Sequence, residues 1–193
     1  MAKRAVMSYL HFFWAGLARP PQTGALVPSQ RFLVETMIAP VPRDYRGKVV
    51  ELGTGNGILT KRLAARCPNA RILACEINPI LAQDTRHNLA RAGVNGQVQV
   101  LTSPAQDLLA KIALQGSDRP GYIISCLPLA TFGRNAVVEL VQAARRALAD
   151  GGMFIQLQHL LVDRHHVRKV FPGLRTVPVL LNIPPGFVYI GRK

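Results

Sequence analysis

Apolar positions along this chain switch between two periods, and the switches mark out strand and helix in turn. Short apolar runs at residues 48–52, 71–76, 97–101, 121–126 and 153–158 read as strands. Between them, residues 57–66, 79–92, 104–116 and 135–149 read as helices with one apolar face. Pro79 in a first turn and Gly93 just past an end frame one of these helices, and Asp150-Gly151-Gly152 stops another. An earlier helix over residues 30–38, capped by Ser29, is followed by a break at Pro40, Pro42 and Gly47. A short basic helix over 165–171 and two strands at 176–181 and 187–192 close the chain. Those strands flank Asn182-Ile183-Pro184-Pro185-Gly186, which reads as a β-hairpin.

Strand and helix therefore alternate and end in a hairpin. The pattern predicts a single α/β domain, with a mostly parallel sheet, helices on both faces and one antiparallel strand. A ligand of such a sheet lies at the carboxyl ends of its strands, near the point where strand order reverses. The 193 residues are 49% apolar, enough for one core in one domain. The expected division is residues 1–22 as an amphipathic helix and 23–193 as the domain. In the first segment Met7, Leu10, Phe13, Trp14 and Leu17 share a face, between basic ends. That is the composition of a helix lying in a membrane interface. No apolar run approaches the ~18 residues needed to span a bilayer. No secretory signal stands out, and the expected location is cytoplasmic, on the inner face of the cytoplasmic membrane. Cys67, Cys75 and Cys126 lack metal or redox spacing and read as buried thiols, and no metal is expected.

The chemistry starts at Glu51-Leu52-Gly53-Thr54-Gly55-Asn56-Gly57, a strand end, a glycine-rich turn and a helix start. Glycines let a backbone approach a ligand closely. The turn lacks the Gly-Lys-Ser/Thr of a phosphate-gripping loop, and the acidic Glu51 before it would repel a pyrophosphate. Glu51 suits a ligand carrying an ammonium and a sulfonium. The next strand ends in Glu76, placed to accept hydrogen bonds from both hydroxyls of a ribose.

On these residues the chain resembles the class I S-adenosylmethionine-dependent methyltransferases, over roughly residues 23–193. The resemblance implies a Rossmann-like sheet of seven strands with the last inserted antiparallel, and S-adenosylmethionine as cofactor, leaving as S-adenosylhomocysteine. It implies that Glu51, Gly53, Thr54 and Gly55 face the methionine part and that Gly57 permits close packing at the helix start. Glu76 would hold the ribose and Ile77 would pack on the adenine. Ser103, with Pro104 and Ala105 beside it, stands where relatives bind the adenine amino group, with Gln106 or a backbone carbonyl as the alternative. Thr23 and Gly24 would close over the methionine end.

The acceptor segment of this family follows the fourth strand, here Ser125-Cys126-Leu127-Pro128-Leu129. Adenine-methylating relatives place Asn or Asp, two prolines and an aromatic there. Ser125 and Leu129 do not stack on a base, so a flat heterocycle is not the expected acceptor. The segment resembles the Ser-Gly-Leu-Pro-Leu stretch of bacterial phospholipid N-methyltransferases, with Cys126 in place of Gly. Thr23 to Ser29 and Asn182 to Tyr189 resemble the same family and the related ornithine-lipid N-methyltransferases. The resemblance implies N-methylation of a membrane-lipid amine, phosphatidylethanolamine first. The ornithine lipid and ribosomal RNA adenine are the alternatives. Tyr9, Ser125 and Tyr189 are the candidate catalytic side chains, with His11 as a further proton acceptor. Leu127, Pro128, Leu129 and Arg19 are the candidate acceptor contacts.

Charge adds the partner. Lys and Arg number 24 against 10 Asp and Glu, a net +14 that attracts polyanions. With an amine-lipid acceptor, the expected partner is an anionic membrane surface and not nucleic acid. Arg19, Arg31, Arg43, Arg46, Arg164, Arg168 and Lys169 are its candidate contacts, and the His165-His166 pair reads as surface.

Overall fold

The computed structural model describes residues 28–182 and 184–193. The expected N-terminal helix lies outside them, and with it Tyr9, His11, Arg19, Thr23 and Gly24.

The elements run α1 (Pro28–Ile38), β1 (Lys48–Leu52), α2 (Ile58–Arg66), β2 (Arg71–Glu76), α3 (Pro79–Arg91), β3 (Val98–Thr102) and α4 (Ala105–Ala113). Then come β4 (Tyr122–Ser125), a 3₁₀ turn (Leu129–Thr131), α5 (Arg134–Ala147), β5 (Met153–Gln158), α6 (Arg164–Val170), β6 (Arg175–Val179) and β7 (Gly186–Arg192). The seven strands form one sheet in the order β3-β2-β1-β4-β5-β7-β6. β7 runs antiparallel to both of its neighbours, and the other pairings of β1 to β5 are parallel. The order reverses between β1 and β4, so the loops after those two strands open into one crevice.

Side chains of one strand alternate between two cores. Val49, Ile72, Ile124, Ile155 and Val188 pack under α1, α2 and α3. Val50, Leu52, Ile123, Phe154 and Tyr189 pack under α4, α5 and α6. With both faces covered, the central strands are apolar throughout. A buried polar side chain on them therefore stands out.

Three boundaries differ from expectation for local reasons. α1 begins at Pro28, which suits a first helical turn, so Ser29 lies inside the helix and not before it. α4 stops at Ala113, before Gly116 at φ 59°, and leaves Leu114 exposed. β6 ends at Val179, so Leu180 and Leu181 fall in the turn and not in a strand. No helix of the described residues is long and apolar enough to cross a membrane.

Candidate cofactor and acceptor sites

The glycine turn leaves β1 at the centre of the sheet. Gly53, Gly55 and Gly57 have φ of 80°, 56° and 78°, in the left-handed region. A Cβ on Gly57 would stand 2.9 Å from Cγ2 of Thr85, and one on Gly53 would stand 3.1 Å from Cδ2 of Leu127. At Gly55 nothing lies within 4 Å, so the backbone there faces open space.

Hydrogen bonds hold the turn from two sides. The amides of Gly53 and Thr54 both donate to the Cys75 carbonyl on β2, at 2.9 and 3.2 Å. From α3, the Thr85 hydroxyl donates to the Gly55 carbonyl at 2.9 Å, and its oxygen lies 3.3 Å from that of Thr54. Glu76, at the end of β2, accepts from Gly55 N through Oε2 at 2.9 Å and from Asn78 N through Oε1 at 3.0 Å. Each oxygen keeps a second lone pair. Glu76 thus holds the turn in shape and still has acceptors to offer a ligand.

Glu51 is different. It is fully buried, and neither carboxylate oxygen has a hydrogen-bond partner of good geometry among the described residues. Burial pushes its carboxyl up to about 8; the Thr60 hydroxyl opposes the shift and the nearby Glu76 charge adds to it. Burial also raises the Cys75 thiol to about 12, and it raises that of Cys126. An acidic group left without a partner under a glycine turn is a receptor for a cation.

The adenine side is open. Ile77 is 69% exposed. Ser103 is half-buried; its amide donates to the Glu76 carbonyl and its hydroxyl to that of Pro104, which leaves the hydroxyl oxygen as an acceptor. Pro104 is exposed at the start of α4, and Ala105 is buried.

The acceptor segment follows β4. Ser125 is buried and its Oγ accepts from Leu127 N at 3.4 Å. The Leu127 carbonyl accepts from Nε2 of Gln156 at 2.9 Å, Nε2 of Gln158 at 3.1 Å and the amide of Leu129 at 2.9 Å. Leu127 and Pro128 are half-buried. Leu129 is not an acceptor contact: it is fully buried and belongs to the core under α4 and α5. Pairing aligns Ser125 with Gln156 and Gln156 with Tyr189. Tyr189 is also corrected. It is fully buried, its hydroxyl donates to the Leu160 carbonyl at 3.3 Å, and burial lifts its phenol to about 12. Such a phenol does not take a proton at neutral pH.

Thr85, Gln156 and Gln158 escaped the sequence reading. Thr85 shares the buried stripe of α3 with Ala82 and Leu89. The glutamines are the polar members of an otherwise apolar strand, at its carboxyl end. Each is a polar residue where the pattern asks for an apolar one, and that was the available signal. Among the basic candidates, Arg43 and Arg46 precede β1, at the opposite end of the sheet from the crevice. His166 is buried against expectation, and His165 is exposed. Among the described residues no group of His, Cys, Asp or Glu could hold a metal ion.

A family profile described as a methyltransferase domain matches residues 49–152. The chain belongs to this family. An ornithine lipid N-methyltransferase from Singulisphaera acidiphila is 28% identical over 170 residues, covering 87% of each chain. The release factor glutamine methyltransferase of Escherichia coli is 27% identical over 176 residues, and the match spans 63% of that protein. An O-methyltransferase from Bacillus cereus, crystallised with S-adenosylhomocysteine, has the same fold: TM-score 0.68 at 18% identity, over 98% of this chain and 91% of that one.

The methyltransferase depends on S-adenosylmethionine. Its residues fit that cofactor on two observations, the partnerless buried carboxyl of Glu51 and the uncovered backbone at Gly55. Glu51 would face the cationic methionine part, and Glu76 the ribose. The cofactor brings an activated methyl group. What the chain supplies is positioning: the Leu127 side chain fills the space beside Gly53 that a Cβ would need, while three donors fix its carbonyl, so the acceptor loop is held against the cofactor turn.

Proposed function

We propose that this methyltransferase transfers a methyl group to the amine headgroup of a membrane lipid, with an ornithine lipid as the acceptor favoured over phosphatidylethanolamine. The observation that carries this reading is the ornithine lipid N-methyltransferase similar over 87% of both chains. None of the relatives described above is named for phosphatidylethanolamine, which becomes the second lipid to try. The acceptor segment supports an aliphatic amine. A base would need a stacking aromatic at the end of this segment, and neither Pro128 nor Leu129, which is core, supplies one.

The chemistry asks little of the protein beyond placement. An ammonium has no lone pair, so the amine must be neutral when it attacks. A low-dielectric site beside a sulfonium favours that neutral form. Ser125 is as buried as Tyr189, but it stands at the end of β4 where the crevice opens, and it is the candidate among the described residues to orient the amine. The reading implies a peripheral enzyme on an anionic membrane surface, at the inner face of the cytoplasmic membrane.

The +14 charge and a ribosomal RNA small subunit methyltransferase C from Salmonella choleraesuis keep RNA as the competing acceptor. That relative is 36% identical, but over 64 residues, a third of this chain. The test offers the full chain labelled S-adenosylmethionine with vesicles of ornithine lipid, vesicles of phosphatidylethanolamine, ribosomal RNA and release factor in parallel. Label in ornithine lipid is expected. Label in RNA or release factor, with both lipids blank, overturns the proposal.

A further inference from the structure

Two loops at the carboxyl end of the sheet expose five large aliphatic side chains. Leu160, Leu161 and Val162 follow β5, with exposures of 39, 46 and 59%. Leu180 and Leu181 follow β6, at 72 and 68%. The loops are neighbours: Nδ1 of His159 lies 2.9 Å from the Pro185 carbonyl, and Arg164 Nε donates to Thr176 Oγ1 at 3.1 Å. The first loop is also tied to the core through the Tyr189 hydroxyl on the Leu160 carbonyl. The leucines therefore project from a braced base.

We infer that these two loops form a membrane-inserting surface that seats the crevice on an anionic bilayer; this rests on the amine-lipid reading of the acceptor. Charge complementarity selects the occupant. Arg164, Arg168 and Lys169 follow the first loop on α6, and the sole acid from residue 159 to 193 is Asp163, which is buried; Arg175, Arg192 and Lys193 lie toward the other end of the sheet. Aliphatic tips backed by cations match acyl chains beneath anionic headgroups. RNA would be met by cations with stacking rings or guanidinium planes, and bare leucines offer it nothing. The position fits as well. Both loops leave the sheet at the end that carries Ser125 and the glycine turn, so the inserted surface and the crevice face the same way.

The experiment has two arms on the full chain. In the first, Leu181→Trp is made in a Trp14→Phe background, so that one indole reports. Phosphatidylglycerol vesicles with brominated acyl chains are then added. A blue shift and bromine quenching that appear with vesicles are expected. No quenching overturns the inference, as does a blue-shifted indole before vesicles are added, which would mean that the chain's own first residues or a second copy cover the loop. A shift driven by ribosomal RNA in place of vesicles overturns it too. In the second arm, Leu180→Glu/Leu181→Glu is expected to lower vesicle partitioning about tenfold or more, with cofactor affinity unchanged. Unchanged partitioning overturns the inference. Lipid methylation, scored separately, distinguishes the two failures. Quenching without any lipid methylation defeats the acceptor assignment and leaves the surface standing; lipid methylation without quenching does the reverse.

Discussion

The Glu51 carboxyl is the residue through which pH should reach this protein. Its folded form titrates at about 8, against an ordinary value of 4.5. Between those values the unfolded chain has lost a proton that the folded chain keeps. The contribution to stability is therefore full below pH about 4.5 and is lost as pH rises to about 8, on the order of 4 kcal/mol. Glu51→Gln cannot ionise, so in the absence of ligand it should unfold at a higher temperature than the parent at pH 8 and show little difference at pH 4.5. Calorimetry at the two pH values checks this, and an equal gain at both would remove the titration argument. The same residue links pH to cofactor. A cation is held by the ionised form, so affinity for S-adenosylmethionine should rise from pH 6 to 8, by up to about tenfold per pH unit. Titration calorimetry should find that slope in the parent and a flat, weaker response in Glu51→Gln. Glu76 acts through hydrogen bonds. Removing its carboxylate in Glu76→Ala leaves the Gly55 and Asn78 amides without their acceptor and should cost about 2 kcal/mol of stability as well as cofactor affinity.

At the scale of elements, the turn between β1 and α2 depends on α3, a packing that separate readings of the two segments do not reveal. Gly57→Ala meets both a left-handed backbone and the Thr85 methyl at 2.9 Å, and should cost about 1–3 kcal/mol. Thr85→Ser removes that methyl and keeps the hydroxyl that holds the Gly55 carbonyl. In the double variant the steric part should disappear while the backbone part stays. Denaturant unfolding of the four proteins would then show a coupling of about 1 kcal/mol, and strict additivity would mean that the methyl is not what Gly57 avoids. The order of elements was legible in the sequence because each strand and helix carries its own period and most have their own stop signal, as at Gly93 and Gly151. The glycine turn, Glu51 and Glu76 were legible because special backbone and charge stand at a strand end. What was not legible depends on contact across the fold. Leu129 is four residues from Ser125 yet turns into the core through the 3₁₀ bend, and Tyr189 lies on the inward face of an inserted strand. Gln156 and Gln158 acquire a role only when β5 settles beside β4 and brings them under the Leu127 carbonyl. Their joint replacement by leucine should leave the cofactor site intact and lower kcat, measured with cofactor at saturation, because the acceptor loop loses two of its three anchors.

The whole molecule sets two forces against a bilayer, and ionic strength separates them. The net charge of +14 acts over a Debye length that shrinks from about 10 Å at 0.1 M salt to about 3 Å at 1 M. Attraction to anionic vesicles should fall steeply across that range. Burial of aliphatic side chains carries no such dependence, so partitioning should fall to a plateau and not to zero. Glu51 and Glu76, buried beneath the glycine turn, are screened little by added salt, so cofactor affinity should hold through the same titration. Vesicle sedimentation and cofactor titration at matched salt give the two curves. A plateau retained by the parent and missing from Leu180→Glu/Leu181→Glu assigns the salt-resistant part to the β6–β7 turn. If the double variant keeps the full plateau, the salt-resistant contact lies elsewhere on the chain and not on the β6–β7 turn.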